Sequence, residues 1–334
     1  DGAALSYQWR PNITVGVSAG LPIDSPRFVS GGERAFYAFS AQVGDIWDKL
    51  TVNAYTHQQT VDGISDRQAV GGELRFRDGP LNVIGLVDYD ASYNVLNTLL
   101  VNSTWRFEND WQVNGMVLFG AQPYLTTRNA LAGQTAISIE EMLDTYTEGQ
   151  IRTLARDRTA QSTTASVGLS VPLSERLDVR FDVTTRQAEA TVASGGVAAI
   201  PATGSQLYIN ARLVGSSILK QGDLTMLTLR HDTTRTRDSS MVLVDSRLPI
   251  GERLRFNPRI SVTQRTDNST GMEQIIAAPS IRVLYRWKRL MIDLEGGGRW
   301  ASRELPPEEW DPFTPDGTEV LTGGFVNLGY RLEF

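Results

Sequence analysis

The sequence predicts an all-β fold, a transmembrane antiparallel β-barrel of about 16 strands with a short helical insertion in one long loop. Three observations predict it. Apolar and polar residues alternate with a period of two along segment after segment, as strands with one apolar face require. The segments run to roughly ten to fifteen residues, the length of tilted membrane-crossing strands. Tight and long connections alternate, as they do when short turns lie on one side of a membrane and loops on the other.

Taken in order, the strands are expected near 11–21, 34–44, 48–58, 67–77, 81–91, 95–107, 110–122, 160–171, 175–187, 204–216, 222–234, 238–249, 252–266, 272–286, 288–302 and 320–334. The last is the clearest. Val320, Thr322, Gly324, Val326, Leu328, Tyr330, Leu332 and Phe334 share one face, with Phe325 the apolar exception on the other. Residues 1–10 are expected as a periplasmic lead-in before a barrel over 11–334. Leu5, Tyr7 and Trp9 allow one extra strand before the turn at Arg10, Pro11 and Asn12. The long connections are expected at 22–33, 59–66, 123–159, 188–203 and 303–319. Parity then places the long loops outside the cell and both chain ends in the periplasm. The chain opens at Asp1 without an initiator methionine, and a preceding segment is expected.

Composition bounds the chemistry. The 334 residues include no cysteine and two histidines, His57 and His231. That removes zinc–thiolate sites, disulfides and thiol nucleophiles, and no metal site or cofactor is expected. A net charge of −6 argues against nucleic acid as a partner. A soluble sandwich or propeller would use the same alternation, but its second face would not carry so much arginine.

One segment breaks the period. Residues 137–158 read ISIEEMLDTYTEGQIRTLARDR. Ser138 followed by Glu141 is a capping-box pattern. Ile139, Met142, Leu143 and Tyr146, then Ile151 and Leu154, recur at helical spacing. One or two amphipathic helices are expected, and an apolar helix face must pack on something. The functional reading is a plug in the lumen. The plainer reading is a helix resting on the barrel wall or on neighbouring loops.

Strand parity assigns the lumen. Expected acidic side chains are Glu73, Asp88, Asp90, Asp178, Asp182, Asp245, Asp293 and Glu295. Expected basic ones are Arg75, Arg180, Arg212, Arg253, Arg255, Arg259, Arg282 and Arg299, with Arg67, Arg77, Arg106, Arg186, Arg247, Arg286 and Arg331 beside them. Charged rings of this kind set ion preference. Arginine–carboxylate ladders also simply neutralise one another, and that is the plainer reading of any single residue. The loops lean acidic, at Asp62, Asp66, Glu140, Glu141, Asp144 and Glu148, and again over 304–316. Asp88 with Asp90, and Asp293 with Glu295, are same-face carboxylate pairs. Without a supported nucleophile they predict a pore lining, not an enzyme.

The C-terminal GYRLEF resembles the insertion signal of bacterial outer-membrane barrels, carried by Tyr330, Leu332 and Phe334. The segments YQWRPNITVGVSAGLPI, DRQAVGGELRFRDGP, LVDYDASYNVLNTLL, RNALAGQTAISIEEML and LARDRTAQST resemble the barrel portion of the PelB family of exopolysaccharide exporters. The resemblance implies a 16-stranded barrel in the bacterial outer membrane that secretes a biofilm exopolysaccharide. It implies a cationic, partly deacetylated amino-sugar polymer as cargo. It also implies a periplasmic tetratricopeptide-repeat scaffold ahead of the barrel, a PelC-like lipoprotein ring beneath it, and delivery to the lipid bilayer by the barrel-assembly machinery. The alternative function is a general or substrate-specific diffusion porin.

Overall fold

The computed structural model describes residues 2–22, 34–305 and 317–332. Among them, seventeen strands form one antiparallel sheet, joined by two short helices and a 3-10 turn. This is the outer-membrane β-barrel class of fold that the alternation predicts. No described helix is long and apolar enough to cross a membrane.

Two compact units divide the chain. The first comprises Asp1–Phe107, Asn114–Ser166 and Arg186–Gly204. Its strands β1 (Gly2–Arg10), β2 (Ile13–Gly20), β3 (Arg34–Ile46), β4 (Leu50–Val61), β5 (Ile64–Asp78), β6 (Leu81–Asp90) and β7 (Val95–Arg106) pair each with the next. Most of β8 (Gln112–Gln122) and the start of β9 (Ala160–Ser174) also belong here, with the helices α1 (Ile139–Leu143) and α2 (Glu148–Asp157) between them. The second unit comprises Glu108–Val113, Val167–Thr185 and Ser205–Phe334. It holds most of β10 (Leu177–Ala188), then β11 (Gln206–Ser216), β12 (Leu224–Thr233), β13 (Arg237–Ile250), β14 (Leu254–Asp267), β15 (Glu273–Trp287), β16 (Leu290–Glu304) and β17 (Thr318–Leu332). From β11 to β17 the pairing is consecutive and its registers hold without a bulge.

Three expectations change. The lead-in is a strand, β1, paired with β2, so the count is seventeen and not sixteen. Residues 59–66 are no loop. β4 and β5 run on to Val61 and Ile64 and meet at Asp62-Gly63, both with positive φ (47° and 79°), the two-residue turn whose twist matches the flanking strands. Arg253 sits in the turn after Gly251, not on a strand face. Phe334 and residues 306–316 lie outside the described residues.

The two faces of the sheet differ chemically. In the second unit, register places Leu229, Val242, Val244, Ile260, Val262, Ile281, Leu294 and Val326 on one face, all of them exposed. In the first, Val17, Tyr37, Phe39, Val70, Val87, Leu99 and Val101 do the same. Contiguous apolar surface on this scale is unstable in water. It is stable against hydrocarbon, where a laddered sheet also leaves no backbone group unpaired. The strands therefore belong in the bacterial outer membrane. The belt has visible edges in the second unit. Tyr285, Trp287 and Tyr330 stand on the apolar face near one end of the strands, and Trp300 stands on it near the other. Ile292, opposite Tyr285, is eight residues from Trp300, about 26 Å along the strand. With strand tilt this matches an apolar band bounded by aromatic girdles.

This assigns opposite sensitivities to adjacent residues. Val262→Arg, mid-strand on the apolar face, is expected to lower stability in lipid by about 2–4 kcal/mol. Ser261→Arg, on the other face, is expected to cost less than about 1 kcal/mol. Urea unfolding in vesicles reads both, and equal costs would contradict the face assignment.

Candidate functional site

The buried chemistry of the first unit gathers where the segment 123–159 meets the sheet. β-bulges prepare that meeting. Between Gln59↔Arg67 and Thr60↔Ser65 the register shifts, so Asp66 is an extra residue in β5. Between Asp88↔Thr98 and Tyr89↔Leu96 it shifts again, so Asn97 is extra in β7. Both bulged residues are fully buried. Both receive the incoming chain. Asn97 Oδ1 accepts from the Leu125 N–H at 3.3 Å while its amide donates to the Leu125 carbonyl at 3.4 Å. Asp66 Oδ1 accepts from the Arg128 N–H at 3.2 Å, and its other oxygen is held by Gln59 and faces Arg34 at 3.6 Å. The Thr127 hydroxyl donates to the Ser65 carbonyl at 2.8 Å and meets the Tyr93 hydroxyl at 2.7 Å. Burial pushes the Tyr93 phenol up to about 12, so this contact stays uncharged through neutral pH.

The helices then close a hydrophobic core over the strand ends. Ile139, Met142, Ile151, Leu154 and Ala155 are buried with Val61, Tyr93, Ala121, Leu125 and Ala130. Leu143 is 37% exposed, so the expected apolar face is narrower by that residue, and Tyr146 only flanks the core. Ser138 caps α1 through the Glu141 N–H, but Glu141 returns its carboxylate to the N–H of Ile137, one residue early. The complete capping box is at α2, between Thr147 and Gln150. Polar ties add to the core. Asp62 accepts from the Glu140 N–H at 3.0 Å, and Arg156 donates to the Tyr93 carbonyl at 2.8 Å.

Which face the insertion covers is settled by its neighbours. Arg67, Tyr55 and Asp88 share the face opposite Val70 and Val87. Tyr124, at the head of the insertion, accepts a hydrogen bond from Arg67, and Arg67 pairs with Asp88. The Tyr55 hydroxyl donates to Asp88 at 2.6 Å. Its ring lies over Gly71, the residue opposite it on β5, where any added Cβ would collide with the ring at 2.3 Å. The insertion therefore folds onto the polar face and leaves the apolar face bare. Beside the cluster is a cavity of about 520 Å³ lined by Ser6, Ser18, Ser40, Tyr55, Asp88 and Tyr124 among others. A larger hollow of about 750 Å³ is lined mainly by apolar-face residues such as Val17, Tyr37, Phe39 and Val70, with His57, Gln58 and Gln68 beside them.

The expected lumen residues sort accordingly. Asp88 is buried in the Tyr55–Arg67–Tyr124 cluster, and Asp90 caps the next turn, its Oδ1 accepting from the backbone of Ser92 and Tyr93 and from the Ser92 hydroxyl. The two carboxylates are thus held by different partners. Glu73 lies 3.7 Å from Arg75 on its own strand. Asp182 accepts from Asn210 at 3.4 Å, with Asp178 and Arg180 at alternate positions beside it. Arg212, Asp245, Arg255, Arg259, Arg282, Asp293, Glu295 and Arg299 share the polar face of the second unit. Arg282 pairs with Asp293, diagonal to the Glu295 that stands opposite it. No group of three potential metal ligands occurs among the described residues. The sequence reading missed Tyr55, Asn97 and Tyr124. A slip in the alternation at Leu96-Asn97 was the available signal for the second.

No protein-family model matches this chain, and no curated protein matches its sequence. Among solved structures it is similar to a bacterial polysaccharide outer membrane secretin, with 9% identity over 97% of this chain and 98% of the other, at a TM-score of 0.37. It is also similar to outer-membrane expressed OmpT of Vibrio cholerae, with 10% identity over 97% and 99%, at a TM-score of 0.44. Likeness at this level does not extend to chemistry.

The core predicts a specific weakness. Ile151→Ala should cost the insertion about 2–5 kcal/mol. Its open population should rise at least ~30-fold, read as faster trypsin cleavage after Arg152 and Arg156 in protein still folded in lipid. Unchanged cleavage would mean that this core does not hold the helices.

Proposed function

We propose that the protein is an outer-membrane export channel for an exopolysaccharide, with the 137–158 insertion narrowing its lumen. One observation carries the channel reading: a helical segment with its own core is clamped to the polar face of a sheet whose other face is bare and apolar. A segment that only braced the strands would not need the wet side. The clamp also favours a fixed constriction over a freely swinging gate, because Asp66, Asn97 and ten buried core residues hold it at many points.

The polymer assignment rests on the likeness of the quoted segments to PelB-type barrels. On this reading a periplasmic repeat scaffold and a PelC-like lipoprotein ring deliver the chain, and the barrel-assembly machinery inserts the protein. The polymer moves by passive guidance. Exposed hydroxyls and charges exchange hydrogen bonds with it, weakly enough for release at each step.

Planar-bilayer recordings test this. The protein should form channels, and deleting 137–158 should raise their conductance. Ile151→Asp, which unseats the helices without shortening the chain, should raise it too. A large, steady conductance that neither variant changes would favour a diffusion porin and end the constriction reading.

A further inference from the structure

Arginine dominates the polar face of the second unit, and its registers show how much of that charge is neutralised. Arg230 pairs with Asp232, Arg282 with Asp293, and Arg303 with Glu319. From β12 to β17 the remaining carboxylates of this face each stand opposite an arginine. Asp245 stands opposite Arg259, Glu295 opposite Arg282, and Asp267 opposite Arg237. Six arginines of β12–β17 are left over: Arg265, opposite Ser239 and Gln274, Arg286, opposite Met291, and four more. Arg247 faces Leu224, Arg299 faces Gly323 and Arg331 faces Met291, while Arg255 lies between Pro249 and Leu284. None of these four guanidiniums has an ion pair or hydrogen bond among the described residues, and all four residues are exposed. The bracing ladder that explains arginine in a barrel wall therefore does not explain these.

They also form a track. Through the registers, Arg255 lies level with Asp293, and Arg331 with Met291, while Arg299 is eight residues beyond Met291. The surplus guanidiniums thus span about 26 Å along the strands. Arg259 lies between those levels, with one carboxylate opposite it. Guanidinium groups bind carboxylate, sulfate and phosphate oxygens by paired N–H donors, and when exposed they do so weakly and reversibly. A row of such groups passes an anion from one to the next without trapping it.

We infer that this wall is a conduction track for anionic groups, and that the cargo carries negative charge. This deepens the channel reading and rests on it. It reverses the cationic cargo implied by the family likeness. The exposed acids of α1 and its flanks, Glu140, Glu141 and Asp144, belong to the insertion and not to the track.

The experiment is the reversal potential of single channels in a tenfold KCl gradient, followed by block with oligogalacturonate and with glucosamine oligomers. The expected result is a permeability ratio favouring chloride severalfold, and block by oligogalacturonate only. The variant Arg255→Gln/Arg299→Gln/Arg331→Gln should bring the ratio towards unity and weaken oligogalacturonate block at least tenfold. Its circular dichroism and heat-modifiability show whether it has folded, and Arg255→Lys/Arg299→Lys/Arg331→Lys, which keeps the charge, should keep the chloride preference. A cation-selective wild-type channel, or block by glucosamine oligomers only, overturns the anionic track while leaving a channel. Absence of any channel overturns the channel reading instead.

Discussion

A backbone amide carried into hydrocarbon has no water to pair with, and each unpaired one costs several kcal/mol. Everything else in this structure is arranged around that constraint. It requires long, laddered strands, and it confines irregular backbone to places that lipid does not reach. The bulges at Asp66 and Asn97 are such places. Each frees one residue from the ladder near a strand end, and the freed side chain turns to the polar side, where the incoming 124–128 segment pairs with it. The departures from regularity are thus the sockets of the insertion.

The same constraint made the fold legible. Alternation is enforced by two solvents, so Val320 to Leu332 or Leu177 to Val183 could be assigned to faces directly. Helical period stood out against it, which located α1 and α2. The failures have physical causes. Asp62-Gly63 was read as part of a loop because polar residues on both sides, Gln58 to Thr60 and Ser65 to Gln68, hide the strand period. There the strands rise past the apolar belt to meet the insertion, and their alternation no longer has two solvents to obey. Bulges shift the period by one and cannot be placed without the partner strand. Tyr55 over Gly71, and Phe325 over Gly297, depend on cross-strand register, which only pairing supplies. Phe325 looked like an exception to the pattern. It is an aromatic ring covering a glycine that has no side chain of its own.

Charge was the least legible property. The sequence gives every arginine on the wall the same status, and only register separates bracing from surplus. Arg282, with carboxylates opposite and diagonal, stabilises the sheet modestly, since an exposed pair is worth about 0–1 kcal/mol. Arg255, between a proline and a leucine, gains nothing of the kind. Its charge contributes to the potential of the water beside it and to little else. A residue that does not serve the fold is where transport chemistry is to be sought.

Composition points the other way, since the whole chain carries −6. The two facts are compatible because many of the acids lie away from the unpaired bases. Glu140, Glu141, Asp144 and Glu148 are exposed on the helices, and Asp62, Asp66 and Asp90 serve turns and sockets at the ends of strands. A permeating charge responds to the groups within about a Debye length of it, roughly 8–10 Å at physiological salt, and not to the net charge of the molecule. Along β12 to β17 the carboxylates of the wall each have an arginine beside or opposite them, and the groups in excess are guanidiniums. Selectivity therefore follows the local wall, and the acidity of the protein as a whole does not predict the sign of what it carries.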